Sequence, residues 1–399
     1  MMMNMTHGPL EGIRVLDLSR VLCGPYATMF MGDMGADIIK IENPKGGDDT
    51  RLWGSKAGGE SYYFASFNRS KRSITIDLKS EKGKKVFLEM VKHADVVIEN
   101  FRPGVTKRLG IDYDVLKEIN PGIVFASASG FGSEGPYASR PGYDIVAQAM
   151  GGLMSITGPK GGLPCKAGAS VGDVLTGLNL VIGILAALHN RNRTGKGQYL
   201  EVSLTNSVVS LVSTDTTEYF VDGQDIRSIG DYNSLNSPYG LFATADGNCV
   251  ICCGNQKLFT NLCEGVLKRP ELLEDERFKD GDARKKNEEA LKAIVEEWSS
   301  QHPARENVAV LAEYGIPAAP VQTIDEIYHD EHIAGVQEMF PCMQHPTMGE
   351  ITVTACPIKF SDTKAEIRKP APLLGQHTVE ILQDVLGMSA EEAQEYTTY

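Results

Sequence analysis

The stretch Ile13-Arg-Val-Leu-Asp-Leu18 is a short apolar run that predicts a β-strand. Residues 25–35 follow it with aromatic and methionine side chains on one helical face, and Asp37-Ile-Ile-Lys-Ile-Glu42 has the composition of a second strand. A strand, a helix and a strand in this order form a βαβ unit. We therefore expect the two strands to run parallel in one sheet.

The same alternation continues downstream of this unit. Further strands are predicted at residues 73–77, 95–98 and 122–126, and helices at 80–93, with Ser80 as the N-cap, and at 113–119. The pattern predicts an α/β fold with a doubly wound, mostly parallel sheet that carries helices on both faces. Ligands of such sheets bind beyond the carboxyl ends of the strands.

The alternation of strands and helices ends near residue 223, and a different pattern begins. Residues 240–245 and 249–253 flank an Asp246-Gly247 dipeptide and predict a hairpin, and helical segments follow near 256–267, 287–301 and 305–314. We therefore predict a smaller α/β domain at 223–330. The large domain is then built from both chain ends, residues 1–222 and 331–399, with a strand at 351–355 and a helix at 377–386 in its second part.

The composition is that of an ordinary globular chain. Its 399 residues are 42% hydrophobic and 23% charged, and 39 basic against 52 acidic residues give a net charge of −13. Nucleic acids and anionic membranes bind basic surfaces, so we expect neither as a partner, although a local cationic cluster can still bind a small anion. The N-terminus lacks a signal-peptide pattern, and the longest apolar stretch, residues 178–188, is too short to span a bilayer. These features predict a cytoplasmic protein.

The eight cysteines give no metal motif. Cys249 and Cys252 form a C-x-x-C pair, but no second pair stands at zinc-site spacing. We interpret the cysteines as small buried hydrophobic residues in a reducing cytosol, and no metal is expected.

Gly130-Phe-Gly132-Ser-Glu-Gly135 matches the dinucleotide-binding pattern G-x-G-x-x-G and follows a predicted strand. That fingerprint requires a helix directly after the loop, so that the helix N-terminus holds the pyrophosphate. Here no helix is predicted before about residue 143. The better interpretation is a glycine-rich connection that uses positive φ angles.

Gly168-Ala-Ser170-Val-Gly172 matches the nucleophile elbow G-x-S-x-G of serine hydrolases. The elbow needs a hydrophobic strand immediately before it, and residues 161–168 make a poor strand. His345 and His377 could each supply a triad base by chain order. A hydrolase that uses Ser170 therefore remains a weak alternative.

Asp173 lies at the start of a predicted helix, residues 172–190, that is apolar nearly all round and is expected to be buried. Two interpretations are open for its carboxylate. It could cap free backbone N–H groups at the positive end of the helix dipole. Alternatively, the small residues around it allow a substrate to approach, and the helix N-terminus keeps it ionised and nucleophilic.

Motifs along nearly the whole chain bear on this choice. They are Leu10-Glu-Gly-Ile-Arg-Val-Leu-Asp-Leu18, Gly35-Ala-Asp-Ile-Ile-Lys-Ile-Glu42, Asn68-Arg-Ser-Lys-Arg-Ser-Ile74, Glu99-Asn-Phe-Arg-Pro-Gly104, Gly172-Asp173 with Thr176-Gly177, Thr194-Gly-Lys-Gly-Gln198 and Pro372-Leu-Leu-Gly-Gln-His-Thr378. In order and spacing the chain resembles the class III CoA-transferases, of the formyl-CoA transferase and carnitine CoA-transferase (CaiB/BaiF) type. The family's nucleophilic aspartate falls on Asp173.

The resemblance implies a chemistry and a set of site residues. Asp173 would attack an acyl-CoA thioester and form an aspartyl anhydride and then an aspartyl-CoA thioester, with coenzyme A as a substrate and no metal. The residues at CoA-binding positions are Val21, Cys23, Ile76, Lys79, Asn100, Phe101, Arg108 and Tyr143, with Arg102 as an added phosphate ligand. The basic stretch Arg69, Lys71, Arg72 and Lys79 is either part of this phosphate site or a solvated charged turn.

A second reaction class belongs to the same superfamily. The α-methylacyl-CoA racemases carry a histidine at the position of Tyr143, and a racemase needs a second acid/base group to reprotonate the opposite face. The tyrosine counts against this alternative.

The segments 48–53, 345–349 and 373–378 most resemble transferases that use succinyl-CoA with dicarboxylates. The tetraglycine loop of formyl-CoA transferases is absent, with Gly254 and Asn255 in its place. These two residues, Leu22 and Arg51 are candidates for binding the acid. Arg51 could hold a distal carboxylate or form a structural salt bridge. The family resemblance further implies an interlocked homodimer.

Overall fold

The computed structural model describes residues 7–397, which form two compact units. The large unit comprises residues 7–153, 167–221 and 334–397, and the small unit comprises 154–166 and 222–333. The sequence placed 154–166 in the large domain, but Lys160 of this segment pairs with Glu288 and Glu289 of the small unit at 3.2 and 3.1 Å. This segment is glycine-rich and has few apolar side chains, so its pattern gives no sign of the unit to which it belongs.

The described residues contain thirteen strands. In chain order they are β1 (Arg14–Asp17), β2 (Asp37–Glu42), β3 (Lys56–Ala57), β4 (Glu60–Ser61), β5 (Lys71–Thr75), β6 (Val96–Glu99), β7 (Val124–Ser129), β8 (Tyr199–Ser203), β9 (Tyr239–Thr244), β10 (Gly247–Cys252), β11 (Ala318–Pro320), β12 (Cys342–His345) and β13 (Gly349–Thr352).

The same residues contain seventeen α-helices. They are α1 (Cys23–Asp33), α2 (Tyr62–Phe67), α3 (Glu81–Val91), α4 (Val105–Leu109), α5 (Tyr113–Ile119), α6 (Asp144–Met150), α7 (Leu153–Ile156), α8 (Val171–Thr194), α9 (Leu204–Leu211), α10 (Ser213–Asp222), α11 (Gln256–Thr260), α12 (Gly281–Lys286), α13 (Glu288–Ser299), α14 (Ala304–Glu313), α15 (Ile324–His329), α16 (Thr378–Leu386) and α17 (Ala390–Gln394). Short 3₁₀ turns lie at Asp49–Leu52 and Pro270–Leu273, and π-helical turns at Asn261–Val266 and Glu331–Val336.

Six strands form a parallel sheet in the order β5-β2-β1-β6-β7-β8. The chain therefore winds outward from β1 in both directions, which confirms the predicted doubly wound α/β architecture. At the centre of the sheet, Val15 of β1 lies opposite Ile38 of β2 on one side and Val96 of β6 on the other. The predicted N-cap is also confirmed, since the Ser80 hydroxyl accepts a hydrogen bond from the Gly83 N–H of α3.

The sheet is buried on both faces because successive strand residues point to opposite sides. Val15 belongs to a core that includes α1 and α8, with Ile184 at its centre. Leu16 belongs to the opposite core, where Phe87 of α3 and Ile381 of α16 are fully buried. The helix near the C-terminus thus covers the sheet formed by the first 200 residues.

Helix α8 is longer than predicted and is only half buried. Leu180 and Ile184 are fully buried, whereas Ile182 is 64% exposed. The expectation that the whole circumference is buried is therefore wrong, and α8 presents an apolar face to the outside of this chain. By length and composition α8 could cross a membrane, and 44% of its most apolar window is buried within the structure.

The small unit has its own core. Strands β9 and β10 form the predicted antiparallel hairpin, with Gly247 opposite Thr244 beside the turn, and β11 pairs with β10. Phe242 and Ile251 of these strands pack with Val295 of α13 and Leu311 of α14.

Candidate active site

The carboxyl ends of β1, β6 and β7 lead into the segments that surround Asp173. The chain passes from β1 through residues 18–22 into α1, from β6 into Asn100 and Phe101, and from β7 into the glycine-rich loop at Gly130. Residues from all three segments line one cavity with Asp173. The site therefore lies where a parallel sheet binds its ligands.

Asp173 stands in the first turn of α8, but it does not cap this helix. The Asp144 Oδ1 atom accepts hydrogen bonds from the backbone N–H groups of Gly172 at 2.8 Å and Asp173 at 3.3 Å. The Ser170 side chain makes no capping hydrogen bond. The interpretation of Asp173 as the helix cap is wrong, because a carboxylate from α6 already fills that position, and the Asp173 side chain is left available for another role.

The Asp173 carboxyl group faces the N-terminus of α1. The backbone N–H and the thiol of Cys23, the first residue of that helix, are the donor groups beside it, and both lower its pKa. Gly177, one turn further along α8, permits this approach, since a Cβ atom there would lie 2.8 Å from the Cys23 carbonyl oxygen and 3.0 Å from the Tyr26 ring. Close packing of α8 against α1 therefore explains why a glycine stands at position 177 in the motif that also contains Asp173.

The electrostatic surroundings of Asp173 differ from the prediction. Burial and then the neighbouring Asp144 raise its pKa to about 7, although the two hydrogen bonds from Cys23 act in the opposite direction. The expectation that the helix N-terminus holds the carboxyl group firmly ionised is therefore wrong. Burial, followed by the Asp173 charge, raises the pKa of the Cys23 thiol to about 12, so this group stays a neutral donor at neutral pH.

The cavity at Asp173 has a volume of about 260 Å³ and brings together eight of the predicted site residues. They are Val21, Leu22, Cys23, Asn100, Phe101, Arg102, Tyr143 and Asp173. The Asn100 side chain connects two walls, because its amide lies 3.5 Å from the Cys23 sulfur and also bonds both backbone groups of Arg20.

A second cavity of about 360 Å³ shares Arg20, Phe101 and Arg102 with the first. It contains the predicted Ile76 and Lys79 between largely apolar walls, with the carboxylates Glu42, Asp48 and Asp77 also on its lining. Of the two cavities, one therefore contains the Asp173 carboxyl group and the other combines apolar side chains with both cations and carboxylates. Arg108, on α4, lines neither cavity.

Three cationic side chains of the basic stretch form ion pairs with acidic residues of the same chain. Arg69 bonds Asp33 at 2.8 Å, and Lys71 bonds Asp17 at 3.1 Å, with all four side chains almost fully buried. Arg72 pairs with Asp37 at 2.7 Å. Neither expectation for these three residues holds, since they form neither a phosphate site nor a solvated turn. Lys79 alone of this group lines a cavity.

Of the two roles considered for Arg51, a ligand of a distal carboxylate or a structural salt bridge, the structure shows the salt bridge. Its guanidinium makes two bonds of 2.7 and 2.8 Å to the Glu42 carboxylate and two of 3.2 Å to the Pro372 carbonyl oxygen, and it stacks 3.7 Å from the Phe64 ring. No donor pair remains for a substrate acid, so we withdraw Arg51 as an acid ligand. In the small unit, the Asn255 side chain caps α11 by accepting from the Leu258 N–H at 3.0 Å.

Neither the G-x-G-x-x-G loop at 130–135 nor the G-x-S-x-G segment at 168–172 has the geometry that its motif requires. The loop at Gly130 turns through positive φ angles at Gly132 and Gly135, and no helix begins before α6 at Asp144. No strand lies between α7 and α8, so Ser170 is not on an elbow.

Neither candidate triad base reaches the site. His345 Nδ1 accepts from the Met348 N–H at 3.2 Å, and His377 Nδ1 accepts from the Ser73 N–H at 3.2 Å. Neither histidine lines the Asp173 cavity, which leaves the hydrolase alternative without a base.

The sequence missed three residues at the site. Asp144 caps α8 and raises the pKa of Asp173; its place two residues after Gly142 in a glycine-rich loop gave no signal of either role. Burial and then the charges of Asp173, Asp48 and Asp144 raise the pKa of Tyr63 on α2 to about 12, so its hydroxyl lies within their field. Arg140 lines the Asp173 cavity with its guanidinium 4.1 Å from the Tyr137 ring.

Comparison with known proteins identifies the family. Residues 10–378 match CoA-transferase family III. The chain belongs to this family. It is an enzyme that transfers coenzyme A, and CoA thioesters are its class of substrate.

Curated relatives of this family III CoA-transferase cover most of its length. It is 38% identical to human succinyl-CoA:glutarate CoA-transferase, over 95% of this chain and 86% of the relative. It is 39% identical to succinyl-CoA:mesaconate CoA-transferase of Haloarcula hispanica, over 94% and 96%. It is 42% identical to acetyl-CoA:oxalate CoA-transferase of Acetobacter aceti, over 80% and 82%. The crystal structure of a CaiB/BaiF family protein from Brucella suis superposes on this CoA-transferase with a TM-score of 0.84 at 37% identity, covering 95% of this chain and all of that one.

Proposed function

We propose that this enzyme moves CoA from succinyl-CoA to a second dicarboxylic acid through covalent intermediates on Asp173. The observation that carries the proposal is the position of this carboxyl group. It is partly buried, it lies beside the backbone N–H that opens α1, and it lines a cavity that shares Arg20, Phe101 and Arg102 with the one that contains Lys79. The relatives that transfer CoA between carboxylic acids support the same reaction.

The proposed chemistry balances without a further reactant. An Asp173 oxygen attacks the acyl carbon of succinyl-CoA and expels CoA thiolate, which leaves an aspartyl-succinyl anhydride. The thiolate attacks the Asp173 carbonyl carbon and releases succinate, which leaves an aspartyl-CoA thioester. The acceptor carboxylate then expels the thiolate to form a new anhydride, and the thiolate attacks the acceptor's carbonyl carbon and frees Asp173.

The residues around Asp173 have roles in this scheme. Each attack on the Asp173 carbonyl carbon places negative charge on its oxygen, and the Cys23 N–H, which already favours the charged form of that carboxyl group, would stabilise this charge. The neutral Cys23 thiol is a second donor to the same group. The attacking form of Asp173 is the carboxylate, so with its pKa at about 7 the first step should accelerate as the pH rises through neutrality.

The acceptor is proposed to be a dicarboxylate because the names of the three relatives pair a CoA thioester with glutarate, mesaconate or oxalate, all dicarboxylic acids. A distal carboxylate needs a cation near Asp173. Arg20 lines the cavity but is paired with Asp49 at 3.6 Å. Arg140 has no carboxylate within salt-bridge distance in the part of the chain that the structure describes. We propose Arg140 as the group that binds the distal carboxylate.

We further propose that the enzyme works in the cytoplasm as a homodimer, interlocked as the family resemblance implies. The large unit has apolar side chains on its surface, with Ile182 of α8 64%, Phe220 of α10 78% and Val221 84% exposed. A second copy of the chain would remove this surface from water. Sedimentation equilibrium should give twice the chain mass, and Ile182→Glu should lower that mass toward the monomer. A monomeric parent protein would contradict this part of the proposal.

The central test is mass spectrometry of the enzyme mixed with succinyl-CoA, followed by peptide mapping. We expect an adduct on Asp173 that is absent from Asp173→Ala, and no transfer activity in that variant. An adduct on Ser170 would favour hydrolysis instead. Proton–deuterium exchange at the α-carbon of a 2-methylacyl-CoA, without any acid acceptor, would favour the racemase. A panel of acids then tests the acceptor, and activity confined to monocarboxylates would contradict the dicarboxylate proposal.

A further inference from the structure

The loop between β1 and α1 contains an unfavourable backbone conformation. Val21 has a φ angle of 68°, in the left-handed region. A β-branched residue is a strong outlier there, because its side chain is close to its own backbone, whereas glycine adopts this conformation without penalty. Such a conformation persists only where the surroundings impose it, and it occurs preferentially at functional sites.

Side chains from distant segments hold the backbone just before Val21. The Ser19 N–H donates to Asp17 Oδ1 at 2.9 Å, and Lys40 Nζ donates to the Ser19 carbonyl oxygen at 3.0 Å. The Arg20 N–H donates to Asn100 Oδ1 at 2.8 Å, and Asn100 Nδ2 donates to the Arg20 carbonyl oxygen at 2.6 Å. Both polar backbone groups of two successive residues are therefore fixed by side chains.

Val21 itself is held in the same way. Its N–H donates to Asp48 Oδ1 at 3.3 Å, and the other carboxylate oxygen of Asp48 lies 3.0 Å from Lys40 Nζ. The side chains of Asp48 and Lys40 are completely buried. We name the four side chains Asp17, Lys40, Asp48 and Asn100 the loop clamp.

The loop clamp contains buried charges. Burial alone would raise the pKa of Asp17, but Lys71 and then Lys40 outweigh it and lower this pKa to about 2, so Asp17 is an anion. Buried ion pairs gain little net stability over well-packed apolar side chains, since both ions lose their water. What the charges and the neutral Asn100 side chain supply together is a fixed arrangement of three backbone residues, Ser19, Arg20 and Val21.

Those three residues lead directly to the nucleophile. Only Leu22 separates Val21 from Cys23, and all three residues line one cavity with Asp173, whose pKa the Cys23 N–H and thiol lower. If Val21 relaxed to a negative φ angle, the chain would enter α1 from another direction and the Cys23 N–H would move. A shift of about 1 Å in such a group is enough to cost a large part of a catalytic rate.

We propose that the loop clamp holds Val21 in its left-handed conformation, and that this sets the N-terminus of α1 against Asp173. Asp17, Lys40, Asp48 and Asn100 are then positioning residues for CoA transfer. The inference rests on the proposed role of Asp173 as the nucleophile.

The primary test combines Asp48→Ala with Val21→Gly. Asp48→Ala removes the acceptor of the Val21 N–H, so kcat should fall by about tenfold, the factor that corresponds to the usual cost of a left-handed non-glycine residue. Glycine adopts a positive φ angle about as readily as a negative one, so a glycine at position 21 would not be driven out of the left-handed conformation. In a Val21→Gly background the same Asp48→Ala change should therefore lower kcat by less than about threefold.

A second measurement reports on position without turnover. The carboxyl stretching band that is absent from Asp173→Asn identifies Asp173 in infrared spectra, and its titration gives the pKa of that group in the CoA-free enzyme. Loss of the Cys23 hydrogen bonds should raise this pKa in Asp48→Ala and in Asn100→Ala. Asn100→Ala removes both Arg20 contacts without leaving a buried charge. If Asp48→Ala does not fold, the Asp173 pKa of Asn100→Ala alone tests the proposal.

The matched control is Asp33→Asn. Asp33 lies at the other end of α1, is as deeply buried and is paired with Arg69 at 2.8 Å, but it contacts no residue of the loop. This variant should lose stability and keep the parent kcat and Asp173 pKa. The inference is overturned if the clamp variants lose only stability, or if Val21→Gly leaves the effect of Asp48→Ala unchanged. Absence of any Asp173 adduct in the parent enzyme would instead contradict the proposed function.

Discussion

Replacing Asp173 with asparagine separates the electrostatic cost of this residue from its chemistry. Burial, followed by the charge of Asp144, raises its pKa from an ordinary value of 3.8 to about 7. The folded protein therefore keeps a proton on Asp173 over a pH range in which the unfolded chain has released it. Forcing this group to ionise in the folded state costs stability.

The size of that cost follows from the shift. Between the two pKa values, each pH unit lowers the contribution of Asp173 to the free energy of unfolding by about 1.4 kcal/mol. A shift of about three units gives a total of about 4 kcal/mol, and little more is lost above the folded pKa. Asp173→Asn carries a neutral side chain of the same shape and avoids this cost at every pH.

Urea unfolding of the parent and of Asp173→Asn at pH 5, 6, 7 and 8 measures the difference directly. We expect the variant to gain on the parent steadily from pH 5 to 7, to be more stable by a few kcal/mol at pH 8, and to have no transfer activity. A stability difference that is constant from pH 5 to 8 would refute the raised pKa. A variant that is less stable than the parent at pH 8 would refute the sign of the argument.

Three other substitutions probe the same site. Gly177→Ala places a Cβ atom 2.8 Å from the Cys23 carbonyl oxygen, so α1 must move; we expect kcat to fall by about tenfold or more, measured beside the urea midpoint as the control for folding. Asp144→Asn keeps an acceptor for the α8 N–H groups but removes the repelling charge, so the pH profile of kcat/KM should move to lower pH. Arg140→Gln should raise KM for dicarboxylate acceptors by about tenfold and leave that for monocarboxylates unchanged.

The sheet could be predicted because its strands carry their own signal. Strands β1, β2, β6 and β7 are apolar runs that are buried on both faces. Strand β5 was placed two residues late, since Lys71 and Arg72 at its start suggest a solvated turn. They are buried because acidic residues of β1 and β2 neutralise them, and such pairing between distant segments has no local pattern.

The site was predictable in outline and not in its electrostatics. Asp173 and its neighbours were found from motif order, and the structure brings most of them into two adjoining cavities. The predicted helix cap and the predicted direction of the pKa shift were both wrong. Burial is the main cause of the raised pKa of Asp173; Asp144, which lies 29 residues earlier in the chain, adds to it by repelling the Asp173 charge and also occupies the cap.

The loop at Val21 shows why local sequence preference fails beside Asp173. A left-handed residue in a turn is ordinarily marked by glycine, and a valine at position 21 predicts an extended backbone. The observed φ angle of 68° is imposed by side chains that the chain supplies from positions 17, 40, 48 and 100. Local preference and tertiary contacts therefore disagree at the residue that directs α1 toward Asp173. Since such disagreement costs free energy, its position next to the Asp173 carboxyl group is itself an argument that the loop geometry serves the proposed reaction.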